Sequence, residues 1–363
     1  MTQSVVLVLG WSGTLGQRIV RLLHEHLPQV KVIGASRRAT PDAAIETRQL
    51  ELSDSTTFAD ALTGINILIH AAGPFNHDPA PLVRECIKRR IHYIDIAETL
   101  SFINDVKRTA AETVDCPVAI VAGCSTVPGL AACLSQSFAS NENISHIDVL
   151  LNMGSNNPLT QGLCFGLLRP LGQRSADDAM PWFRRLTHAT HLDGRIRHYG
   201  NYPIPFAHTI PVAARNIPVD FKVGFDLAAI NYALYLASFV LPFVSDNVLH
   251  AICRLAVRCG GVMSLIGKTE GRFTLVARDK NGIALDSVEV VAAKNGLDIP
   301  AITTVWATEK LLDPTTRQTG FTGLEQLLDH ATLEHKLAAL PDVSVRHPSA
   351  VTGSDSTSKY HGA

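Results

Sequence analysis

Three glycines, Gly10, Gly13 and Gly16, follow the apolar run Val5-Val6-Leu7-Val8-Leu9 and precede Gln17-Arg18-Ile19-Val20-Arg21-Leu22-Leu23. Five apolar residues in a row read as a strand buried on both faces, and the segment after the glycines reads as an amphipathic helix. That order suits a pyrophosphate. Gly10 allows the tight turn, Gly13 lets phosphates approach the backbone, and Gly16 lets helix and strand pack closely. Ser12, Thr14 and Leu15 complete the loop, whose free N–H groups lie at the positive end of the helix. A glycine triplet by itself is a weak signal, and an ordinary turn is the competing reading. The flanking strand and helix favour dinucleotide binding.

A second cluster lies at the exit of the next strand, Val30-Lys31-Val32-Ile33-Gly34-Ala35, where Ser36, Arg37 and Arg38 follow. A carboxylate here would bind the two ribose hydroxyls of NAD, yet none occurs before Asp42. A guanidinium suits a 2′-phosphate instead, so Ser36 and Arg37 point to NADP over NAD. The strand Asn66–Ala72, which includes Ala71 and Ala72, ends in the turn Gly73-Pro74-Phe75 at the carboxyl end of the sheet, where such folds bind ligands. His77, just beyond, reads as an exposed loop residue. Tyr93 and Asp95, on the strand from His92, and Cys124, after the apolar strand Pro117–Ala122, are the candidate proton-handling groups. A solvated edge strand is the competing reading for Asp95 and Glu98. Hydride transfer is mostly positioning, so a dedicated acid need not exist.

These groups need a scaffold. Strands and helices alternate from residue 5 to about 140, the pattern of an α/β fold with a Rossmann-type doubly wound parallel sheet. From Ile144 the pattern changes. Strand-like alternation at 147–153, 221–225 and 272–278, with an Asn281-Gly282 hairpin turn before a return strand 284–292, indicates a second α+β domain with a mixed or antiparallel sheet. It would form the floor of the substrate site. The expected division is 1–140 for dinucleotide binding, 141–320 for substrate and dimerisation, a C-terminal helix over 321–340, and a disordered tail over 349–363.

Together the segments Gly10–Gly16, Ala71-Ala72-Gly73-Pro74-Phe75, His92-Tyr93-Ile94-Asp95, Gly123–Gly129 and Gly320–Glu325 resemble the saccharopine dehydrogenase family. The likeness covers the first 130 or so residues well and thins beyond. It implies NAD(P)-dependent oxidoreduction, typically at a carbon–nitrogen bond of an amino-acid-like substrate. One departure is Ser125-Thr126-Val127, where family members commonly carry an acidic residue before Pro-Gly. The short-chain dehydrogenases pair Tyr with Lys four residues on. Here Ala97, Pro203, Phe206, Leu236 and Phe239 follow Tyr93, Tyr199, Tyr202, Tyr232 and Tyr235 at that spacing, which removes the reading.

Bulk composition narrows the class. The 363 residues carry 32 Lys and Arg against 33 Asp and Glu, with no basic run, which argues against a nucleic-acid partner. Seven scattered cysteines form no C-x-x-C pair, so neither a disulfide framework nor a metal site is expected. The N-terminus enters the first strand directly, and a cytoplasmic homodimer is the expectation.

Leu227 to Val244 holds eighteen residues without a charge. As one helix it would reach about 27 Å, at ~1.5 Å per residue, just short of a bilayer core. His250, Arg254 and Arg258 follow at helical spacing. A buried helical hairpin over 226–267 or a dimer interface is one reading, and a peripheral membrane contact through 227–266 is another. A true span is disfavoured by Pro242, and a wall for a lipid-like substrate is a further option. The alternative to an enzyme is a non-catalytic NADP sensor or membrane-associated scaffold.

Overall fold

The computed structural model describes residues 3–39, 44–157, 159–174, 180–203, 208–263 and 267–348, without the side chains of 259–263. The expected disordered tail lies outside them. The chain forms two compact units, Met1–Cys133 with Leu297–His330, and Leu134–Gly296 with Ala331–Ala363.

In the first unit β1 (Val5–Leu9) leads into α1 (Thr14–His26), then β2 (Lys31–Ser36), β3 (Glu46–Gln49), the single turn α2 (Phe58–Ala61) and β4 (Ile67–His70). There follow α3 (Ala80–Lys88), β5 (His92–Asp95), α4 (Leu100–Ala111), β6 (Ala119–Val121) and α5 (Ala131–Leu134). After β6 the helical structure is interrupted. An irregular turn over Thr126–Leu130, with Val127 extended, precedes α5, and a 3₁₀ turn over Ser135–Phe138 follows it. Pro128, which cannot donate a backbone hydrogen bond, stands in the irregular turn.

The second unit holds β7 (His146–Met153), α6 (Gln161–Leu168), β8 (Leu186–Thr190), β9 (Ile196–Asn201), β10 (Thr209–Val212) and β11 (Arg215–Phe225). It continues with α7 (Ala228–Ala237), α8 (Asp246–Met263), β12 (Gly271–Arg278) and β13 (Ala284–Ala292). The chain then returns to the first unit with α9 (Asp298–Leu312), β14 (Gly320–Phe321) and α10 (Leu324–Leu327), and ends in the second with α11 (His330–Ala338) and β15 (Val343–Arg346).

The first sheet is parallel throughout, in the order β14-β6-β5-β4-β1-β2-β3. Removing β14 leaves 3-2-1-4-5-6, the doubly wound Rossmann order, whose direction switches between β1 and β4. Core residues such as Leu7, Ile33, Leu68 and Ile120 are fully buried, as continuous apolar strands require. The second sheet is mixed, β15-β13-β12-β7-β11-β9-β8 with β10 on β11. Among the described residues, only β7 and β11 run parallel there. The α/β architecture with a second mixed sheet is thus observed. The Asn281-Gly282 turn forms as well, with Gly282 at φ +79° and its N–H donating to Asp279.

Two boundaries differ from the sequence reading. Residues 298–330, divided there between a substrate domain and a final helix, belong to the first unit. α9 packs on α1, where Asp298 pairs with Arg18 at 3.2 Å and Arg21 at 2.6 Å, and β14 adds the seventh strand. The single helix expected over 321–340 is instead β14, α10 and α11. The apolar run after 226 also divides: α7 ends at Ala237, and a 3₁₀ turn over Leu241–Phe243 with Pro242 separates it from α8. Among the described residues no helix is long and apolar enough to cross a membrane.

Candidate functional site

The glycine turn sits at the point where the first sheet changes direction. Gly10 takes φ +83°, and a Cβ on it would come within 2.7 Å of the Ala72 nitrogen. A Cβ on Gly16 would overlap the Gly10 carbonyl oxygen. The turns after β1 and β4 therefore touch, and the backbone of Gly10 and Gly16 leaves no room for side chains. Gly13, the residue before α1, supplies no side-chain cap, and the first turn of α1 holds no acid. Nothing there neutralises the positive helix end, so the cradle fits a pyrophosphate. Ser12 and Gly13 are exposed, as are Gly73 and Pro74, while Thr14, Leu15 and Ala72 are half-buried. At the exit of β2, Ser36 Oγ donates to the Arg38 carbonyl at 2.6 Å, and Arg37 is exposed. The cofactor residues read from the sequence thus gather along the carboxyl ends of β1, β2 and β4.

The proton-handling residues are placed differently. Tyr93, Asp95 and Cys124 are all fully buried. Asp95 Oδ1 accepts the N–H groups of Gly123 at 2.8 Å and Ala97 at 2.9 Å, while Oδ2 has no partner. Burial pushes its carboxyl up from the usual 3.8 to about 6, against those two backbone donors. Asp95 thereby fixes the start of the loop Gly123–Gly129. Cys124 holds its thiol well above the usual range because of burial. Its carbonyl accepts Thr303 Oγ1 of α9 at 2.9 Å. The buried thiol is protonated at neutral pH.

His70, the last residue of β4, escaped the sequence reading. It is register partner to Asp95, and its Nδ1 lies 3.0 Å from the Tyr93 hydroxyl. Burial, then the charge of His77, lowers His70 to about 3, so the imidazole stays neutral. Its Nε2 is buried without a hydrogen-bond partner, as is Nε2 of the half-buried His77, and the two rings lie 5.2 Å apart. A polar residue closing the otherwise apolar Ile-Leu-Ile-His strand was the available signal. Trp11 was missed too. Its indole covers Gly34, where a Cβ would fall 2.6 Å from the ring, and its Nε1 is a further unpartnered buried donor.

Glu98, placed beside Asp95 in the sequence reading, is exposed and accepts Ser125 Oγ at 2.7 Å. Among the described residues one group has metal-ligand chemistry, His146, Asp148 and Asp220 in the second unit. Asp148 already accepts Lys222 Nζ at 2.8 Å and Arg278 Nε at 2.6 Å. Hydrogen bonds to Asp148 and Asp220 raise His146 to about 9.

No curated protein matches the sequence. Among solved structures the chain is similar to C. glutamicum DAP dehydrogenase in complex with DAP, at 13% identity over 93% of this chain and 99% of that one, TM-score 0.47. It is similar to an engineered D-amino acid dehydrogenase bound to NADP+, at 13% identity over 90% and 94%, TM-score 0.45. A monomeric L-threonine 3-dehydrogenase from a metagenome is matched at 18% identity over 24% of this chain and only 34% of that one, TM-score 0.23. Residues 6–118 match a family, the saccharopine dehydrogenase NADP binding domain, and this span runs from β1 to the threshold of β6. The matched span carries the glycine cradle at the sheet's switch point.

Proposed function

We propose that the protein is an NADP(H)-dependent oxidoreductase acting on a small, amino-acid-like or apolar substrate at a carbon–nitrogen bond. The observation that carries this reading is the backbone cradle of Gly10, Gly13 and Gly16 beneath an uncapped α1, inside a matched NADP binding domain. The first-turn N–H groups of α1, with Ser12, Thr14 and Leu15, would hold the pyrophosphate. Arg37, with Ser36 beside it, would pair with the 2′-phosphate and set NADP above NAD. The bound nucleotide supplies hydride chemistry at its nicotinamide. Ala72, Gly73 and Pro74 and the Gly123–Gly129 loop would flank the ring.

Asp95 and Tyr93 act in this reading as positioning residues. Asp95 anchors the 123–129 loop through Gly123 N–H, and Tyr93 orients His70 at the end of β4. Cys124 contributes its backbone carbonyl to the contact with Thr303.

Titration of purified protein with NADPH and NADH, followed by nicotinamide fluorescence, tests the cofactor. Tight NADPH binding is expected, with NADH at least about ten-fold weaker, the loss of one charge-assisted phosphate contact. No response to either nucleotide would overturn the reading. Turnover is then assayed with amino acids and 2-oxo acids plus ammonia. Retained NADPH binding with no turnover across the panel would favour the sensor, a reading to which the burial of Tyr93, Asp95 and Cys124 lends some support.

A further inference from the structure

α7 is built inside out. Its polar residues Asn231 and Ser238, the second just past its end, are fully buried, and both are satisfied locally. Asn231 accepts the Phe225 N–H at 2.8 Å and donates to the Phe225 carbonyl at 3.0 Å, while Ser238 donates to the Tyr235 carbonyl at 2.7 Å. The outward side carries Ala229, Tyr232, Ala233 and Leu236, spaced three and four apart, and no charge. The row continues past the helix with Val240 at 60% exposure and Phe243 at 87%. An ordinary surface helix has the opposite arrangement.

α8 extends the same chemistry. Leu249 and Cys253 face the buried cluster with Cys164, Leu234 and Leu241, so the fold of this unit is served by that side. Val248, Ile252 and Leu255, at i, i+4 and i+7, are exposed instead. Beside them stand exposed Arg254 and Arg258. The sole acid between residues 227 and 263 is Asp246, already paired with Arg169 at 2.9 Å. The guanidinium of Arg184 lies 3.9 Å over the exposed Phe239 ring. A stretch of under forty residues thus combines a continuous apolar face with a basic margin and no unpaired acid.

Exposed apolar patches of this extent mark a surface that something covers. We propose that the α7–α8 face seats the protein peripherally on a membrane surface rich in anionic phospholipid. Leu236, Val240 and Phe243 enter the boundary between headgroups and acyl chains, and Arg254 and Arg258 meet the phosphates. Charge selects this occupant over a second copy of the chain. In a two-fold contact of this face with itself, a second copy would bring the same two arginines and the same single, already paired acid, whereas anionic headgroups complement them. The absence of a helix able to cross a membrane, among the described residues, fits a surface contact.

The test is co-sedimentation of the full chain with vesicles of phosphatidylcholine alone and of phosphatidylcholine with phosphatidylglycerol in a three-to-one ratio. The wild type is expected to sediment with the anionic vesicles, and less so at high salt. Leu236→Ser with Phe243→Ser, and separately Arg254→Glu with Arg258→Glu, are each expected to lower the bound fraction by about ten-fold or more. All four positions are exposed, so thermal unfolding followed by circular dichroism should be unchanged, as should the response to NADPH. The proposal is overturned if the wild type stays in solution with both vesicle types. It is equally overturned if the protein is a dimer in solution that the same substitutions dissociate, since the face then belongs to a second copy.

Discussion

Asp95 and Gly123 lie 28 residues apart in the chain and are joined by a 2.8 Å hydrogen bond from the Gly123 N–H to Asp95 Oδ1. The same oxygen takes the Ala97 N–H, so one carboxylate oxygen holds the end of β5 against the start of the next loop. Asp95→Ala leaves two buried donors unmet and should cost about 2–4 kcal/mol. Asp95→Asn keeps the acceptor and should cost far less. Urea unfolding of the two variants at neutral pH measures the contrast.

The Asp95 carboxyl also carries a pH signature. Its folded pKa of about 6 exceeds the usual 3.8, so the folded form holds a proton that the unfolded chain releases. Its contribution is complete below 3.8 and lost as pH rises through about 6. Relative to Asp95→Asn, the wild type should gain about 2–3 kcal/mol on acidification from pH 7 to 4. Midpoints of urea unfolding across that range report the difference, and parallel curves for the two proteins would contradict it.

His70 works with the opposite sign. The fold keeps this imidazole neutral, lowering it from 6.5 to about 3, so its contribution is complete above pH 6.5 and lost as pH falls toward 3. His70→Asn should lower stability at pH 7, because Tyr93 loses its partner, and should flatten the decline below pH 6. Thermal midpoints of both proteins between pH 4 and 7 would show it.

At the glycine turn, Gly16→Ala should abolish NADPH binding, since the added methyl overlaps the Gly10 carbonyl and forces α1 away from β1. Gly10→Ala meets both a strained φ of +83° and the Ala72 backbone. Each should destabilise the first unit by about 2 kcal/mol or more. Nicotinamide fluorescence and thermal melts separate the loss of binding from the loss of fold.

Cofactor preference should move with one side chain. Arg37→Ala is expected to weaken NADPH binding by about ten- to a hundred-fold and leave NADH nearly unchanged. Because Arg37 is exposed, stability should not shift. Equal losses for the two nucleotides would mean that Arg37 does not read the 2′-phosphate.

In the second unit, Arg272 donates to Glu289 at 2.6 Å, and Glu289 accepts from or pairs with His191 at 2.7 Å, all three side chains being buried. Removing one partner strands a charge, so Arg272→Met or Glu289→Leu alone should each cost about 3–5 kcal/mol. The pair Arg272→Met with Glu289→Leu should cost much less than the sum. A double-mutant cycle by urea unfolding gives the coupling.

The parts of the fold legible in the sequence are those with short-range causes. Buried parallel strands announce themselves as runs such as Val5–Leu9, and Gly10, Gly13 and Gly16 act through backbone space that no other residue leaves free. What stayed hidden depends on contacts between distant segments. Nothing near His70 tells that Tyr93 will meet its ring, and nothing in Asp298–Leu312 tells that it returns to pack on α1. Asp95 was singled out as a proton donor because its position at a strand end was legible, whereas its burial and its two backbone donors were not. The apolar run 227–244 was legible as unusual, but which face would turn inward depended on Asn231 finding Phe225.

The return of α9 and β14 to the first sheet has a consequence for the order of events during synthesis. Thr303 on α9 holds the Cys124 carbonyl, Asp298 holds Arg18 and Arg21, and β14 closes the edge beyond β6. A ribosome making this chain delivers β7 to β13 of the second unit before it delivers α9. The nucleotide-binding half therefore emerges first and is completed late, with the flank of α1 bare in the interval. A nascent chain stopped at residue 133 should remain open to protease, and one extended past residue 330 should close.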